Sequence, residues 1–539
     1  MSFRRIIQLF SLFLFLFLLF AALSFSSSSW PVDLFLRMDP ALTVFTVLSA
    51  RILLLAFLPV LIVLGATIMM GRVFCSHVCP MGTTLELWEK FNRSTAGKRV
   101  SSTNLNFLKY LLLAFLFGSA ILGVSWVFWA SPLSLITRFY GLFIYPILAF
   151  LAERGLLILR PLAEQFNMNS IAFLQIASPR FSTQFFILAF FLALFLLEHY
   201  SPRFWCRTLC PSGALLALCS IRPLIGRQVT SACTHCGKCA RVCPMEAIEL
   251  ESPITTKHGE CIVCRSCEEI CPERAVSFPV LWSGKASQPD GFFPDRRRFI
   301  LAGLAGALTA VSGLTGLASP SGKAGPGKVA PPGLLRPPAA LPEMEFLSRC
   351  VRCGECMVAC PTNTLQPIWF EAGLMSLFSP ALTPRRGYCI PDCRQCSLVC
   401  PTGAISFLTP KERFWAKTGT AVIYKEKCLA WEHKKGCMVC DEVCPFKAVE
   451  FRFEAGNPVP VPEVKEERCT GCGYCEHYCP VQNQSAIVVS PMGAIRLAKG
   501  SYLETAKRQG LNFSLRKATT FEFPPAPKGD IPGRAPGFD

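Results

Sequence analysis

Cysteines dominate the chemistry that this sequence can support. The chain has 29 cysteines in 539 residues, and 24 of them fall into six runs of four that each end in Cys-Pro. The clearest run reads CTHCGKCARVCP and extends from Cys233 to Pro244. Three cysteines at two-residue gaps, then a fourth directly before a proline, form the ligand pattern of [4Fe–4S] ferredoxins. The six runs therefore predict about six [4Fe–4S] clusters, a set of one-electron carriers.

The runs group as two plus four along the chain. The first two have regular spacing and predict a two-cluster ferredoxin module: Cys233, Cys236, Cys239, Cys243 and Cys261, Cys264, Cys267, Cys271. In such modules the fourth cysteine binds the partner cluster, so Cys271 would complete the first cluster and Cys243 the second.

The other four runs follow residue 340, and the sequence leaves open which of them share clusters. One has an extra residue in its first gap and another has eight residues there. They are Cys350, Cys353, Cys356, Cys360; Cys389, Cys393, Cys396, Cys400; Cys428, Cys437, Cys440, Cys444; and Cys469, Cys472, Cys475, Cys479. Zinc sites pair CxxC units without a recurrent Cys-Pro, and disulfide frameworks do not repeat one spacing six times, so both alternatives are disfavoured.

Two further cysteine pairs follow apolar stretches. They are Cys75 and Cys79 in GRVFCSHVCP, and Cys206 and Cys210 in WCRTLCPSGA. Two cysteines four residues apart share one face of a helix, so each motif presents two thiols toward the other. The four thiols could hold another cluster, bind a metal ion, cycle between thiol and disulfide, or only pack where helices meet the membrane surface. Cys219 is left over and is predicted to be a buried thiol.

The elements that position these cysteines include membrane spans. Hydrophobic residues make up 51% of the chain, and the excess lies toward the N-terminus. Four stretches are predicted to cross the bilayer, whereas the shorter Phe139–Ala152 is predicted to be re-entrant or interfacial. A cleaved secretory signal is the alternative for the first stretch. The four stretches are Ile6–Phe25, Ile52–Met70, Leu111–Thr137 and Phe181–Leu197.

Charge sets the predicted orientation. Arg4 and Arg5 precede the first stretch, and the loop 71–110 is basic, so the positive-inside rule places both in the cytoplasm. Four spans then leave the first ferredoxin module cytoplasmic, whereas a span at 139–159 would move it outside. This topology explains most of the net charge of +18. No basic patch with interleaved aromatic residues is present, so no nucleic-acid partner is predicted.

A second targeting pattern lies in the middle of the chain. Asp295-Arg296-Arg297-Arg298-Phe299 opens an apolar stretch that runs to Ser319. This pattern is similar to a twin-arginine translocation signal, a route that exports folded proteins. An ordinary fifth span with flanking arginines is the alternative. In both cases the segment that follows is predicted to emerge outside.

The predicted fold is a membrane α-helical bundle of four to five spans, plus the twin-arginine-like or transmembrane segment, with two α+β ferredoxin-like iron–sulfur regions. The predicted domains are the transmembrane domain 1–220, a 2[4Fe–4S] ferredoxin domain 225–285, the twin-arginine-like segment 295–320, a linker 321–341, a four-cluster ferredoxin-like domain 342–495 and a disordered tail 500–539.

Other cofactors have little support. The chain has six histidines, with no histidine pairs inside spans and no CxxCH, so neither b-type nor c-type haem is predicted. No GxGxxG or P-loop is present, which disfavours flavin and nucleotide. Electrons must then come from quinone or a partner subunit. His77, Glu198 and His199 lie near the predicted membrane face and are candidates for taking protons from a quinol; solvated helix ends are the alternative.

These motifs resemble two families. A membrane domain with GRVFCSHVCP and WCRTLCPSGA, followed by a ferredoxin pair, is similar to the NapH/MauN family. The region that begins CVRCGECMVACP and contains a CxxxCxxCxxxCP run resembles the NapG/MauM family. In those systems two separate subunits typically pass electrons from membrane quinol toward periplasmic reductases. The chain therefore resembles a fusion of both, and the resemblance implies quinol oxidation.

The resulting hypothesis is a multi-pass protein of the bacterial inner membrane that is a possible quinol dehydrogenase component. Its expected partners are the lipid bilayer, the membrane quinone pool and a periplasmic reductase or cytochrome. The first ferredoxin domain would be cytoplasmic and the four-cluster domain periplasmic. The alternatives are an accessory electron donor for maturing or reactivating a metalloenzyme, and a scaffold with structural clusters.

Overall fold

The computed structural model describes residues 3–24, 31–91, 105–166, 168, 178–250, 252–280, 295–314 and 333–516. The part before residue 220 is almost entirely helical. A π-helical segment, Phe139–Ile144, joins the helix Pro132–Arg138 to the helix Tyr145–Gln165. The helices described there are α1 (Phe3–Ser24), α2 (Leu34–Arg37), α3 (Pro40–Ala50), α4 (Pro59–Met70), α5 (Val73–His77), α6 (Pro80–Phe91), α7 (Leu108–Ile121), α8 (Pro132–Arg138), α9 (Tyr145–Gln165), α10 (Gln184–Tyr200), α11 (Phe204–Thr208) and α12 (Pro211–Cys219).

The cysteine runs lie in two α+β regions. The first, 225–280, is the N-terminal ferredoxin, and the second, 333–516, is the C-terminal ferredoxin region. The helices described in this part are α13 (Lys238–Val242), α14 (Ser266–Glu269), α15 (Arg296–Leu314), α16 (Glu343–Arg349), α17 (Glu355–Val358), α18 (Gln395–Leu398), α19 (Pro410–Phe414), α20 (Val439–Glu442), α21 (Tyr474–His477) and α22 (Tyr502–Arg508).

The strands form short antiparallel pairs. In the N-terminal ferredoxin, β1 (Gln228–Val229) pairs with β2 (Val276–Ser277), which ties together the two ends of the module. In the C-terminal region the pairs are β3 (Leu365–Pro367) with β4 (Pro380–Leu382), β5 (Thr420–Ile423) with β8 (Ile487–Ser490), and β6 (Val449–Arg452) with β7 (Val461–Val464).

Three described helical segments are long and apolar enough to cross a membrane: Phe3–Ala22, Pro132–Pro161 and Arg296–Leu314. The helix at 59–70 is shorter than the predicted span Ile52–Met70, because a 3-10 turn, Leu55–Phe57, and Pro59 precede it. The helix at 184–200 has 17 residues, at the short end of the range. The structure therefore provides fewer full-length candidate spans than the sequence predicts.

The prediction of a single span over Leu111–Thr137 is wrong. Helix α7 ends at Ile121, Gly123 adopts a φ of +86°, and α8 begins only at Pro132. The Ser131 side chain accepts the Ser134 amide and caps α8, and a proline suits the first helical position because it has no N–H to satisfy. Capping signals thus divide an apolar stretch that composition alone treats as continuous.

The sequence predicts a short re-entrant or interfacial segment at Phe139–Ala152, but the structure has a longer helix there. This stretch belongs to the 30-residue helical segment Pro132–Pro161. The first turn of that segment and the chain that follows it nevertheless contact the same region. Ser134 Oγ donates to the Val351 carbonyl at 2.9 Å, and Ser182 Oγ donates to the Pro367 carbonyl at 3.0 Å. The chain therefore returns after this segment to the C-terminal ferredoxin region.

Helices α7 and α15 run parallel and touch along their length. A Cβ placed on Gly118 would lie 2.0 Å from the Gly303 carbonyl oxygen, and one on Gly306 would lie 2.0 Å from the Phe115 oxygen. Glycine lets the two backbones approach this closely. The Arg298 guanidinium lies 6.0 Å from the Phe107 ring centroid at the start of both helices. Helix α15 thus packs against α7 with one face, and its other apolar side chains are exposed.

The C-terminal ferredoxin region is longer than predicted at both ends. The linker prediction is wrong for residues 333–341, where Arg336 is fully buried and pairs with Glu343 at 2.6 Å. The disordered-tail prediction is wrong for residues 500–516, because Tyr502 and Phe513 are buried. The remaining parts of both predictions, 321–332 and 517–539, lie outside the described residues.

Candidate iron–sulfur sites

All six cysteine runs adopt one local design. The third cysteine of each run lies in a short helix, and the fourth lies one or two residues beyond the end of that helix. The helices are α13, α14, α17, α18, α20 and α21. In three runs a glycine with positive φ precedes the helix (Gly237, Gly354 and Gly473), which lets the loop wrap its first two cysteines around one point. The fourth cysteine consequently points toward a different centre.

The structure pairs the runs that the sequence left unpaired. Two cavities, of about 400 and 330 Å³, lie between the last two runs, and a third, of about 340 Å³, lies between the two runs before them. In each cavity three cysteines of one run meet the fourth cysteine of its partner run. The three sets are Cys428, Cys437, Cys440 with Cys479; Cys469, Cys472, Cys475 with Cys444; and Cys389, Cys393, Cys396 with Cys360.

The same exchange recurs in the remaining runs. The Cys400 thiol lies close enough to the thiols of Cys350, Cys353 and Cys356 to interact with them electrostatically. In the N-terminal ferredoxin, Cys243 neighbours the set Cys261, Cys264, Cys267. Cys239, Cys243, Cys267 and Cys271 all pack around one small hydrophobic cluster there, so the third and fourth cysteines of both runs lie close together.

These cages suit clusters better than single ions. A tetrahedral zinc site brings four ligands within about 2.3 Å of one point. In the described part of the chain, no group of three or more Cys, His, Asp or Glu is arranged closely enough to hold one metal ion. Four thiols from two runs around one apolar cavity fit the larger [4Fe–4S] unit instead.

Burial and hydrogen bonding both act on the thiols. Burial raises the pKa of Cys267, Cys440 and Cys472 to about 12. Cluster ligands are thiolates, so loading these cages must release protons. Several sulfurs accept hydrogen bonds: Arg413 Nη2 lies 3.0 Å from Cys389 Sγ, and the Ala448 amide lies 3.3 Å from Cys444 Sγ. Such bonds tune the potential of a cluster.

The two CxxxCP motifs meet inside the helical part. Cys79 neighbours Cys75 and Cys206, and Cys210 neighbours Cys206, Cys75 and Cys79. Of these four thiols only Cys75 is partly exposed. Cys219, by contrast, is exposed at the end of α12, so the prediction of a buried thiol there is wrong.

The proton candidates are scattered around this thiol group. His77 Nδ1 is 2.6 Å from Ser76 Oγ, and His199 is exposed. Glu198 is buried; its Oε1 accepts the Trp205 amide at 3.4 Å, whereas its Oε2 has no hydrogen-bond partner. The sequence reasoning missed Arg72, Arg203 and Glu260, which surround the same thiols. A repeated Arg three residues before each CxxxCP motif was the available signal.

Family models match most of the cysteine-bearing segments. A 4Fe-4S binding domain model matches residues 52–99 and 183–227, and a second such model matches 346–366. Models of a 4Fe-4S dicluster domain match 225–272 and 435–483. The prediction of several [4Fe–4S] binding domains is therefore confirmed.

Curated proteins similar to the chain are ferredoxin-type proteins. The methylamine utilization ferredoxin-type protein MauM of Methylorubrum extorquens is 39% identical over 163 residues, covering 28% of this chain and 70% of its own length. MauM of Paracoccus denitrificans is 39% identical over 160 residues, 28% and 69%. The ferredoxin-type protein NapG of Escherichia coli is 36% identical over 170 residues, 30% and 71%. No solved structure matches the chain.

Proposed function

The chain belongs to the family of ferredoxin-type proteins MauM and NapG, and on that premise we propose that it is a membrane-bound protein that carries electrons from quinol to a redox partner outside the membrane. Its family and its matched domains make it a ferredoxin-type iron–sulfur electron-transfer protein. What we propose beyond this is the identity of the electron donor and acceptor, the multi-span arrangement, and the side of the membrane on which each ferredoxin region lies.

One observation carries this proposal: the two ferredoxin regions contact opposite ends of α7. At its start, Lys109 Nζ and Tyr110 Oη bind the Glu260 carboxylate of the N-terminal ferredoxin. Just past its end, Arg352 of the C-terminal region donates to the Ser125 carbonyl at 3.1 Å. The 14 residues of α7 span about 21 Å, a large part of the hydrocarbon thickness. This separation supports electron transfer from one membrane face to the other.

Charges support the orientation. Arg4 binds Glu86 at 2.8 Å, at the end of the bundle that holds the N-terminal ferredoxin. Arg296, Arg297 and Arg298 open α15 at the same end. By the positive-inside rule this end faces the cytoplasm. The C-terminal ferredoxin region then faces the periplasm, and α15 tethers it there.

The proposed reaction balances in electrons and protons. A quinol gives up two electrons and two protons and becomes a quinone, and an oxidised reductase or cytochrome outside receives the electrons. One-electron transfer is the chemistry that bound [4Fe–4S] clusters supply. We assign one proton to Glu198, because its buried Oε2 has no hydrogen-bond partner and the residue neighbours Cys206 and Arg203, and the second proton to solvent water.

Quinol-dependent bleaching of the clusters tests the reaction. The full chain, purified without oxygen and placed in liposomes, is mixed with a reduced quinone analogue. We expect bleaching at a rate compatible with turnover. Glu198→Gln should slow bleaching by quinol but leave bleaching by dithionite unchanged. A complete lack of quinol bleaching would refute quinol oxidation, and very slow bleaching would favour the accessory-donor alternative.

Inserted protease sites test on which side of the membrane each ferredoxin region lies. One site after residue 280 and another after residue 516 report on the two ferredoxin regions in intact spheroplasts. We expect external protease to cut only the second site, and both sites only after lysis. Cutting of both sites in intact spheroplasts would contradict the proposed arrangement.

A further inference from the structure

One cysteine cage of the C-terminal ferredoxin region lies directly against the helical bundle. This docked cage consists of Cys350, Cys353, Cys356 and Cys400. Ser49 Oγ of α3 donates to the Ser348 carbonyl at 2.7 Å, and Ser134 Oγ of α8 donates to the Val351 carbonyl at 2.9 Å. Two bundle helices thus hold the main chain on both sides of the first cysteine. The bundle therefore forms part of the surroundings of this cage.

Two buried arginines lie beside the docked cage, one from each side of the contact. Arg138 ends α8 of the bundle, Arg352 directly precedes Cys353, and the two arginines are only 4% and 3% exposed. The Arg352 guanidinium lies 4.1 Å from the Phe128 ring centroid, and that of Arg138 lies 5.3 Å from the Phe378 ring centroid. Both rings belong to one hydrophobic cluster. The two positive charges therefore share one apolar environment.

Neither charge is offset by an ion pair in the described part of the chain. All hydrogen bonds described for the two guanidinium groups go to main-chain carbonyls, which carry no net charge. The acceptors are the carbonyls of Ser125, Cys350 and Met375 for Arg352, and those of Phe128 and Ser134 for Arg138. Arg352 Nε has no hydrogen-bond partner. Buried charges of one sign are costly unless a charge of the opposite sign lies nearby, so the site favours a negatively charged group.

The carboxyl groups in the neighbourhood do not supply enough negative charge. Glu343 lies close enough to Arg352 to interact with it electrostatically, but it already pairs with Arg336 at 2.6 Å and with Arg496 at 2.9 Å. Glu355 opens α17 in the docked cage and can offset one of the two charges at most. At least one positive charge therefore remains without a carboxylate.

A cluster bound in the docked cage would supply the missing negative charge. Arg138 lies close enough to the Cys353 thiol, and Arg352 to the Cys350 thiol, to interact with it electrostatically. Four thiolate ligands make a bound [4Fe–4S] cluster negative, and an added electron makes it more negative. Fixed positive charges nearby therefore stabilise the reduced form more than the oxidised form, which raises the reduction potential.

We propose that Arg138 and Arg352 raise the reduction potential of the cluster in the docked cage and make that site the point at which electrons enter the C-terminal ferredoxin region. Arg138 belongs to the bundle, so the cluster accepts an electron most readily while the region is docked. One electron reduces the cluster, and the quinol oxidised in the bundle supplies it; no bond forms or breaks in the cage. The entry of electrons at this site rests on the proposed function, whereas the raised potential does not.

A redox titration of the full chain, followed by EPR, tests the raised potential. The signal of the docked cage is identified as the one that Cys350→Ala removes. Arg138→Gln should lower the ratio of reduced to oxidised cluster at the parent midpoint about tenfold, a shift of about 59 mV for one electron. Arg154→Gln removes the same charge from an exposed side chain of the same helical segment and should leave that midpoint unchanged. An equal midpoint in Arg138→Gln and the parent protein would overturn the proposal.

Conservative variants separate the charge from the contacts of the side chain. Arg138→Lys keeps the charge and should keep most of the parent midpoint, whereas a fall as large as in Arg138→Gln would overturn the role given to the charge. Arg352→Gln should shift the same signal in the same direction. If a glutamine variant loses the signal completely, the lysine variant of that residue decides. A midpoint near that of the parent protein then supports the proposal, and a lowered midpoint or a lost signal overturns it.

The order of reduction tests the entry of electrons. When the full chain is mixed with a reduced quinone analogue and frozen rapidly, the signal of the docked cage should appear before those of the other C-terminal cages. A later appearance would overturn its place as the entry point. The redox titration uses mediators and needs no quinol. A chain that shows the shifts in midpoint but is not reduced by quinol would therefore keep the raised potential and lose only the quinol donor.

Discussion

Lys109 Nζ and the Glu260 carboxylate lie 2.5 Å apart and join the first residues of α7 to the N-terminal ferredoxin. The same carboxylate accepts Arg72 at 3.0 Å and Tyr110 Oη at 2.9 Å, and its side chain is only 3% exposed. This carboxylate is therefore one of the buried contacts that join this ferredoxin to the helical bundle, together with the Ile225 amide that donates to the Met69 carbonyl at 2.8 Å.

Replacing Glu260 should weaken the attachment of the N-terminal ferredoxin to the helical bundle. Glu260→Gln leaves two buried cations without their carboxylate, which costs about 3–5 kcal/mol. We expect the clusters of the N-terminal ferredoxin to be lost at a lower urea concentration, measured by visible absorbance. Glu249→Gln is the matched control, because its ion pair with Lys257 lies at the surface and contributes less than about 1 kcal/mol. Equal urea midpoints for both variants would contradict this role of Glu260.

Partner runs exchange their fourth cysteines, so substituting two cysteines of the same run should remove two different clusters. Cys400→Ala should abolish the same EPR signal as Cys350→Ala, because Cys400 completes the set that begins at Cys350. Cys389→Ala, in the same run as Cys400, should abolish a different signal. If Cys400→Ala and Cys389→Ala removed one common signal, each run would hold its own cluster and the pairing would be wrong.

Because α7 and α15 are in close contact, adding a single methyl group between them should destabilise the fold. Gly118→Ala forces its Cβ against the Gly303 carbonyl and should cost about 1–3 kcal/mol. The measurement is the midpoint of thermal unfolding of the full chain in detergent. Gly65→Ala in α4 has open space around its Cβ and should be neutral or slightly stabilising. A midpoint for Gly118→Ala as high as that of Gly65→Ala would contradict the packing.

His258 predicts a loss of stability on mild acidification. Burial, with help from Arg227, lowers the pKa of the His258 imidazole below its usual value of 6.5. The unfolded chain therefore binds a proton more readily, so the stabilisation is complete above pH 6.5 and is lost as the pH falls toward the folded pKa.

The expected slope for one proton is at most about 1.4 kcal/mol per pH unit. Thermal midpoints between pH 7.5 and 5.5 should fall less in His258→Gln than in the parent protein. His433→Gln, in an exposed side chain, should keep the parent slope. An equally steep fall in His258→Gln would remove His258 as the cause.

Cysteine spacing predicted the iron–sulfur sites because the ligands of one cage lie close together in sequence. The partner run lies farther away, so the spacing alone could not pair Cys360 with the set at Cys389. Hydropathy predicted apolar stretches but not their ends. The break after Ile121 depends on the cap at Ser131, and the buried position of Arg336 depends on Glu343, a contact that appears only once the chain has folded.

The position of α15 lowers the affinity with which the C-terminal ferredoxin region must bind the helical bundle. Residues 315–332 connect a helix that is packed against α7 to a region that touches Ser125 at the far end of α7. The covalent connection raises the effective concentration of one surface at the other. Contacts too weak to hold two separate subunits together are then sufficient, and the stoichiometry of the two ferredoxin regions is fixed at one to one.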